Sequence, residues 1–210
     1  MQFNYESFRE FTNKDEATQW GKKHYGDWMP QLQDQHYKPV TPAEQFFRNY
    51  TQGIHYIYNR ILRESSVDKY DFKDSNVTKE MFIDGINEIQ KQHLPEDILV
   101  YRYVDTDLLK DMKKWSNIKL IKRNSILTDK GFFSTTLSLD AVSNRNYATL
   151  KHHSLLYIFV PKGTPCVYVD LISDMGENEL LFAPNIKLKI LSNYLFGKYI
   201  ECIVIMSNEN

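Results

Sequence analysis

Two carboxylates stand one residue apart near the end of the chain, Glu177 and Glu179 in the stretch "DLISDMGENELLFAPN". In an extended segment residues i and i+2 face the same side, so both side chains project into one cleft from a strand end, a geometry suited to chemistry on a cation. An acidic pair in a turn also serves to keep a loop solvated, and on this stretch alone that reading stays open. Two further polar features fall where an apolar core would not want them. Arg102 sits inside the β-rich run "ILVYRYVD", where a guanidinium must find a partner, be it only an edge-strand ion pair. In "GFFSTTLS" three hydroxyls, Ser134, Thr135 and Thr136, follow two phenylalanines, and ordinary β-compatible polar residues would read the same way.

The elements that must position these side chains change character midway along the chain. From about Asn13 to Gln92 apolar residues recur at spacings of three and four in "KDEATQWGKKHYGDW", "TPAEQFFRNYTQGIHYIYNRILRES" and "VTKEMFIDGINEIQKQ", which predicts helices. Thr41, Pro42 and Glu44 read as an N-cap, a first-turn proline and a capping box. After Pro95 the runs "DILVYRYVD", "KGFFSTTLS", "HSLLYIFVPKG", "PCVYVDLI", "NELLFAP", "IKLKILSNYLF" and "KYIECIVIMS" are β-branched and aromatic, divided by Gly, Pro and Asn, and predict strands. "LKDMKKWSNIKLI", Leu109 to Ile121, interrupts them as a helix. The expectation is one α+β domain over residues 1–210, mainly helical over 1–94, with a mostly antiparallel β core over 95–210.

Composition narrows the function classes. With 210 residues, 42% of them hydrophobic, the chain buries a substantial core without a staple. A formal charge of −1 supplies no global field toward nucleic acid or an anionic membrane. Cys166 and Cys202, the two cysteines, are too few for a disulfide framework or a structural zinc site; buried thiols are expected, and a single disulfide stays open. His152 and His153 lack further ligands at metal-binding spacing, so no metal is expected. The N-terminus lacks the basic start and apolar stretch of a secretory signal, and no apolar run reaches the roughly 18 residues of a membrane span, so the expectation is a soluble protein. Delivery by a dedicated secretion route, or residence in a host cytoplasm, would then follow.

The order of the polar features adds to this reading. An arginine on a first strand, an aromatic-Ser-Thr-(Ser/Thr) run on a later one and Glu-x-Glu before a final group of strands resembles the Arg-Ser-Glu class of mono-ADP-ribosyltransferase toxins. "EATQWGKKHYGDW" is similar to the tryptophan-bearing opening helix of the enzymatic components of clostridial and bacillary binary toxins, and "YTQGIHYIYNRILR" to their "Y…Y…N…LR" helix. "LPEDILVYR" and "VPKGTPCVYV" extend the match to nearly the whole chain. The resemblance implies helices packed on a mostly antiparallel, two-sheet β core and an enzyme that cleaves NAD as its substrate.

Cleavage between nicotinamide and ribose passes through an oxocarbenium-like state. By resemblance, Glu179 stabilises that cation at the ribose, Ser134 holds Glu179 in its working rotamer, and Arg102 clamps the diphosphate with a planar fork. Thr135 and Thr136 complete the hydroxyl motif beside NAD. Tyr50 and Asn59 fall where the family's helix contacts NAD, with His55 in place of a second tyrosine. Tyr147 stands for the aromatic of the loop that meets nicotinamide, with Arg145, Lys151 or His152 as its cation. Glutamate at position 177 goes with arginine as the acceptor, since a guanidinium is a poor nucleophile until a carboxylate orients it. An arginine on a target protein is therefore implied, with the chain acting as a monomer. Actin is weakly supported as that target, because Ile172 and Met175 replace the aromatic that relatives carry before the glutamates. An NAD glycohydrolase using water as acceptor, and a silent NAD-binding or interaction module, are the other readings.

Overall fold

The structure of the chain is a computed structural model that describes residues 4–28, 41–64, 67–72, 76–140, 153–173, 175–195 and 198–206. Four of the described α-helices start where the sequence offers a polar cap. Asn13 accepts from the backbone N–H of Glu16 and opens α1, Lys14–Tyr25, while Thr41 accepts from Glu44 and opens α2, Pro42–Asn49, with proline in the first turn. Beyond Asn49 the helix does not run on as its periodicity predicts. A wide turn over Tyr50–Ile54 leaves helical geometry at Gln52 and at Gly53, whose φ is 99°, before α3 resumes at His55–Glu64. Thr78 caps α4, Lys79–Lys91.

The strands follow: β1 Ile98–Asp105, β2 Ile126–Asp129, β3 Phe133–Thr136, β4 His153–Val160, β5 Cys166–Tyr168, β6 Glu179–Phe182, β7 Ile186–Tyr194 and β8 Tyr199–Val204. The helix expected over 109–121 is shorter and earlier: α5 spans Thr106–Trp115, because Asp105 caps its start by accepting from Leu108 at 2.7 Å, and Asn117 turns left-handed (φ 54°) just past its end. The short β2 lies outside the predicted strands, since its partner β7 is about sixty residues distant and no local pattern reveals it.

All eight strands form one hydrogen-bonded sheet in the order β2-β7-β8-β4-β1-β3-β6-β5, antiparallel at every step except β8-β4. The two-sheet core expected from the resemblance is thus corrected to a single sheet. Its halves meet at β1 and β3 through one register pair, Tyr101 opposite Thr136, whereas β1 and β4 pair along eight residues. The sheet is strongly curled. Five strand spacings separate β2 from β3, about 24 Å on a flat sheet, yet only residues 130–132 link them, a reach of at most about 14 Å from Asp129 to Phe133. The two strands must therefore come together, and Leu127, Phe133, Leu156, Phe182 and Ile190 from both halves share one buried cluster with Trp20 and Tyr25 of α1. A second cluster, built on Phe46, Phe47, Tyr58 and Phe82 of the helices, packs against Phe132, Val167 and Leu181. Cys166 and Cys202 are buried and unbridged. Among the described residues no helix is long and apolar enough to cross a membrane.

Candidate active site

The turn that carries the two glutamates is fixed from four directions. Glu177 donates its backbone N–H to the Asp170 carboxylate at 2.9 Å, and its carbonyl accepts from the Thr136 hydroxyl at 2.6 Å. Asn178 sends its carbonyl to the Leu137 N–H at 3.1 Å. Its side-chain amide, fully buried, donates to Thr18 Oγ1 of α1 at 2.8 Å and to the Tyr168 hydroxyl at 2.9 Å. Asn178 also adopts φ 50°, a left-handed conformation that asparagine tolerates better than most residues. The same-side argument for an extended segment is corrected here: Glu177 precedes the strand, Glu179 opens it, and a left-handed residue lies between them. Both nevertheless line one cleft.

Glu179 pairs across the sheet with Thr136, which places Ser134 on the diagonal and within side-chain reach. Burial raises the Glu179 carboxyl from its ordinary 4.5 to about 7; the charges of Glu177 and Asp170 push the same way, while the Ser134 hydroxyl and Arg102 pull it down. Asp170 is likewise raised, chiefly by burial. The site thus holds a crowded set of carboxyl groups beneath a single strand end.

Arg102 projects from β1, its side chain 14% exposed. It donates from Nη1 to the Ser134 carbonyl at 2.9 Å, and its guanidinium carbon lies 4.2 Å from the centre of the Phe133 ring. The hydrogen bond to Ser134 spans the one-pair junction of the sheet. Burial lowers the Arg102 pKa and the nearby Asp129 opposes that shift. Tyr50, in the wide turn between α2 and α3, is buried, with its hydroxyl pKa raised by burial and by the charge of Glu179. Asn59 of α3 keeps a buried Oδ1 with no hydrogen-bond partner among the described residues. Arg102, Ser134, Tyr50 and Asn59, with Gly53, His55, Tyr103 and His153, line a cleft of about 850 Å³.

Of the predicted residues, Arg102, Ser134, Thr135, Thr136, Glu177, Glu179, Tyr50 and Asn59 thus come to one cleft. The Thr135 hydroxyl is spent on the Leu180 carbonyl at 3.0 Å, and that of Thr136 on the glutamate turn and the Ser138 carbonyl. Tyr147, Arg145, Lys151 and His152 lie outside the described residues. Ile172 and Met175 line the same cleft, Met175 largely exposed. Among the described residues no group of His, Cys, Asp or Glu side chains is placed to hold a metal ion. Sequence reasoning missed Asp129, Asp170 and Asn178. The Asp-x-Gly step at Asp129 was the available signal for the first, being the pattern of a side chain that turns back on its own backbone.

The curled sheet thus brings an arginine, a hydroxyl and paired carboxylates to one cleft at the junction of its two halves. The family model described as ADP-ribosyltransferase exoenzyme matches residues 17–207, and the chain belongs to that family. Among solved structures it is similar to the C3 exoenzyme of Clostridium limosum, at 20% identity and a TM-score of 0.69, over 95% of this chain and 98% of that one. It is similar to BECa, an ADP-ribosylating toxin of a binary enterotoxin of C. perfringens solved with NADH, at 22% identity and a TM-score of 0.69; the match covers 94% of this chain and 50% of BECa. It is also similar to C3stau2 from S. aureus, solved with NAD, at 20% identity and a TM-score of 0.65, over 96% and 100% of the two chains. Comparison with curated proteins gives no match.

Proposed function

We propose that the chain is a mono-ADP-ribosyltransferase that transfers ADP-ribose from NAD to an arginine side chain of a target protein and releases nicotinamide. The observation that carries this reading is the meeting of Glu177 and Glu179 with Arg102 and Ser134 in one cleft. Arg102 binds the diphosphate with the guanidinium edge that its contacts to Ser134 and Phe133 orient. Glu179, ionised when the positively charged nicotinamide enters, hydrogen-bonds the ribose 2′-hydroxyl and stabilises the cation that develops as the glycosidic bond breaks. Ser134 fixes the Glu179 rotamer. Glu177, at the mouth of the turn beside Met175, orients the incoming guanidinium and takes its proton as the new bond forms. Tyr50 and Asn59 flank the dinucleotide. NAD bound in one structure of similar fold and NADH in another support the choice of substrate.

The test is incubation of the protein with labelled NAD and a cell lysate, reading label on protein against nicotinamide released without transfer, followed by mass-spectrometric location of the modified side chain. Label on arginine is expected. Release without protein labelling supports a glycohydrolase instead, and label on asparagine or glutamine overturns the acceptor assignment.

A further inference from the structure

Beneath the cleft lies a charged group that the proposed chemistry does not use. Asp129, the last residue of edge strand β2, is fully buried. It accepts a two-pronged contact from Arg63 of α3, Nε to Oδ1 at 3.1 Å and Nη2 to Oδ2 at 2.8 Å. Its Oδ1 also accepts from the backbone N–H of Gly131 at 2.9 Å. The same Oδ2 lies 3.7 Å from Nη2 of Arg102, too long for a hydrogen bond but inside the range of an ion pair. One carboxylate thus faces two guanidinium groups, Arg63 from the helical layer and Arg102 from the sheet. The turn that holds it has no room to shift. A Cβ at Gly131 would stand 2.6 Å from Asn59 Oδ1 and 2.8 Å from Arg63 Nε, so only glycine lets this turn meet α3 so closely.

Arg102 is consequently restrained on three sides, by the Ser134 carbonyl, the Phe133 ring and Asp129. Without the carboxylate, two like charges would face each other across the vacated position, and the guanidinium of Arg102 would swing away from Arg63. We propose that Asp129, locked by Arg63, is a positioning residue that sets the orientation of Arg102 and thereby the affinity for the dinucleotide diphosphate. This rests on the reading of the cleft as an NAD site. Asp129 touches no reacting atom, so its removal acts on ground-state binding and leaves the bond-breaking step largely alone.

The experiment measures NAD dissociation by calorimetry on the full chain, together with KM and kcat for nicotinamide release, in wild type, Asp129→Asn, Arg102→Lys and the double variant. Asp129→Asn keeps shape and the acceptor for Gly131 but loses the charge. Its dissociation constant and KM are expected to rise about tenfold or more, with kcat falling less than about threefold. In the Arg102→Lys background, where the fork is already lost, the same change is expected to weaken binding by less than about twofold. An unchanged dissociation constant in Asp129→Asn, or full additivity in the double variant, overturns the proposal, as does a loss confined to thermal stability. Asp129→Glu is measured alongside in case the amide variant does not fold; it keeps the charge but moves it by one methylene, and wild-type affinity there also overturns the proposal. Wild-type protein that binds no NAD instead overturns the reading of the cleft, and this proposal with it.

Discussion

Replacing Asn178 separates two contributions that its position combines. The side chain supplies two buried hydrogen bonds, to Thr18 and Tyr168, and the backbone sits at φ 50°. Each bond contributes about 0.5–1.5 kcal/mol net. The lower half of that range applies, because Thr18 still bonds the Lys14 carbonyl and Tyr168 still contacts Asp170. The left-handed backbone adds about 1–2 kcal/mol of strain for a residue with a Cβ and no local polar compensation. Asn178→Ala should therefore cost about 2–4 kcal/mol, and Asn178→Gly, which loses the bonds but accepts the backbone, about 1–2 kcal/mol. For a chain of this length those figures correspond to drops in melting temperature of roughly 4–15 °C and 2–8 °C. Urea and thermal unfolding of the two variants, with NAD cleavage measured well below both midpoints, provide the assay. The glycine variant should fold better than the alanine variant and still cleave NAD more slowly than wild type, because the turn holding Glu177 and Glu179 loses its anchor to α1. An alanine variant as stable as the glycine variant would refute the role assigned to the left-handed backbone.

Other outcomes follow from the same geometry. Glu179→Gln should fold normally yet lower NAD cleavage by about a hundredfold or more; wild-type turnover would remove Glu179 from the mechanism. Because burial disfavours the ionised form of Glu179, the folded state loses stability as pH rises between 4.5 and about 7. Glu179→Gln should accordingly melt no lower than wild type at pH 8, and be more stable by up to about 3 kcal/mol; a marked loss of stability would contradict the assigned shift. The kcat/KM for NAD should fall as pH is lowered through about 7, and in Glu177→Gln that midpoint should move to lower pH, since the Glu177 charge raises the Glu179 value. An unmoved midpoint in pH-rate profiles would deny the coupling. Finally, Glu177→Gln should abolish transfer to arginine while sparing much of the slow NAD hydrolysis, as separate product assays would show; joint loss of both would place Glu177 in bond breaking.

What could be read in advance divides along physical lines. The capping triplet at Thr41 and the residues Arg102, Ser134, Glu177 and Glu179 announce themselves locally, by residue type and by their order along the chain. The break at Gln52 and Gly53 did not, because a helical period on both sides hides two residues that leave the helix. Pairing of β2 with β7, and the lone pair joining β1 to β3, are set by chain closure over long separations. Asn178 fits a flat i, i+2 alternation on paper, and only its contacts with Thr18 and Tyr168 show why it turns left-handed instead. Asp129 went unnoticed, since its two arginine neighbours come from segments about 66 and 27 residues away.

The junction between β1 and β3 has a bearing on how such a cleft changes over time. A hydrogen-bonded ladder shifts only in whole residues, and each one-residue slip turns every side chain to the opposite face. Where the halves share a single register pair, their mutual angle is governed by the side chains wedged between them, among them Val100, Leu156, Phe133 and Phe182. Exchanging one methyl group there alters that angle by a fraction of an ångström at the rim, and it leaves the ladder within each half intact. The distance between Arg102 on one half and Glu179 on the other is thereby a continuous quantity, open to selection through apolar substitutions remote from any ligand. Divergence in substrate geometry can accumulate in the core of this molecule while its polar motifs stay unaltered.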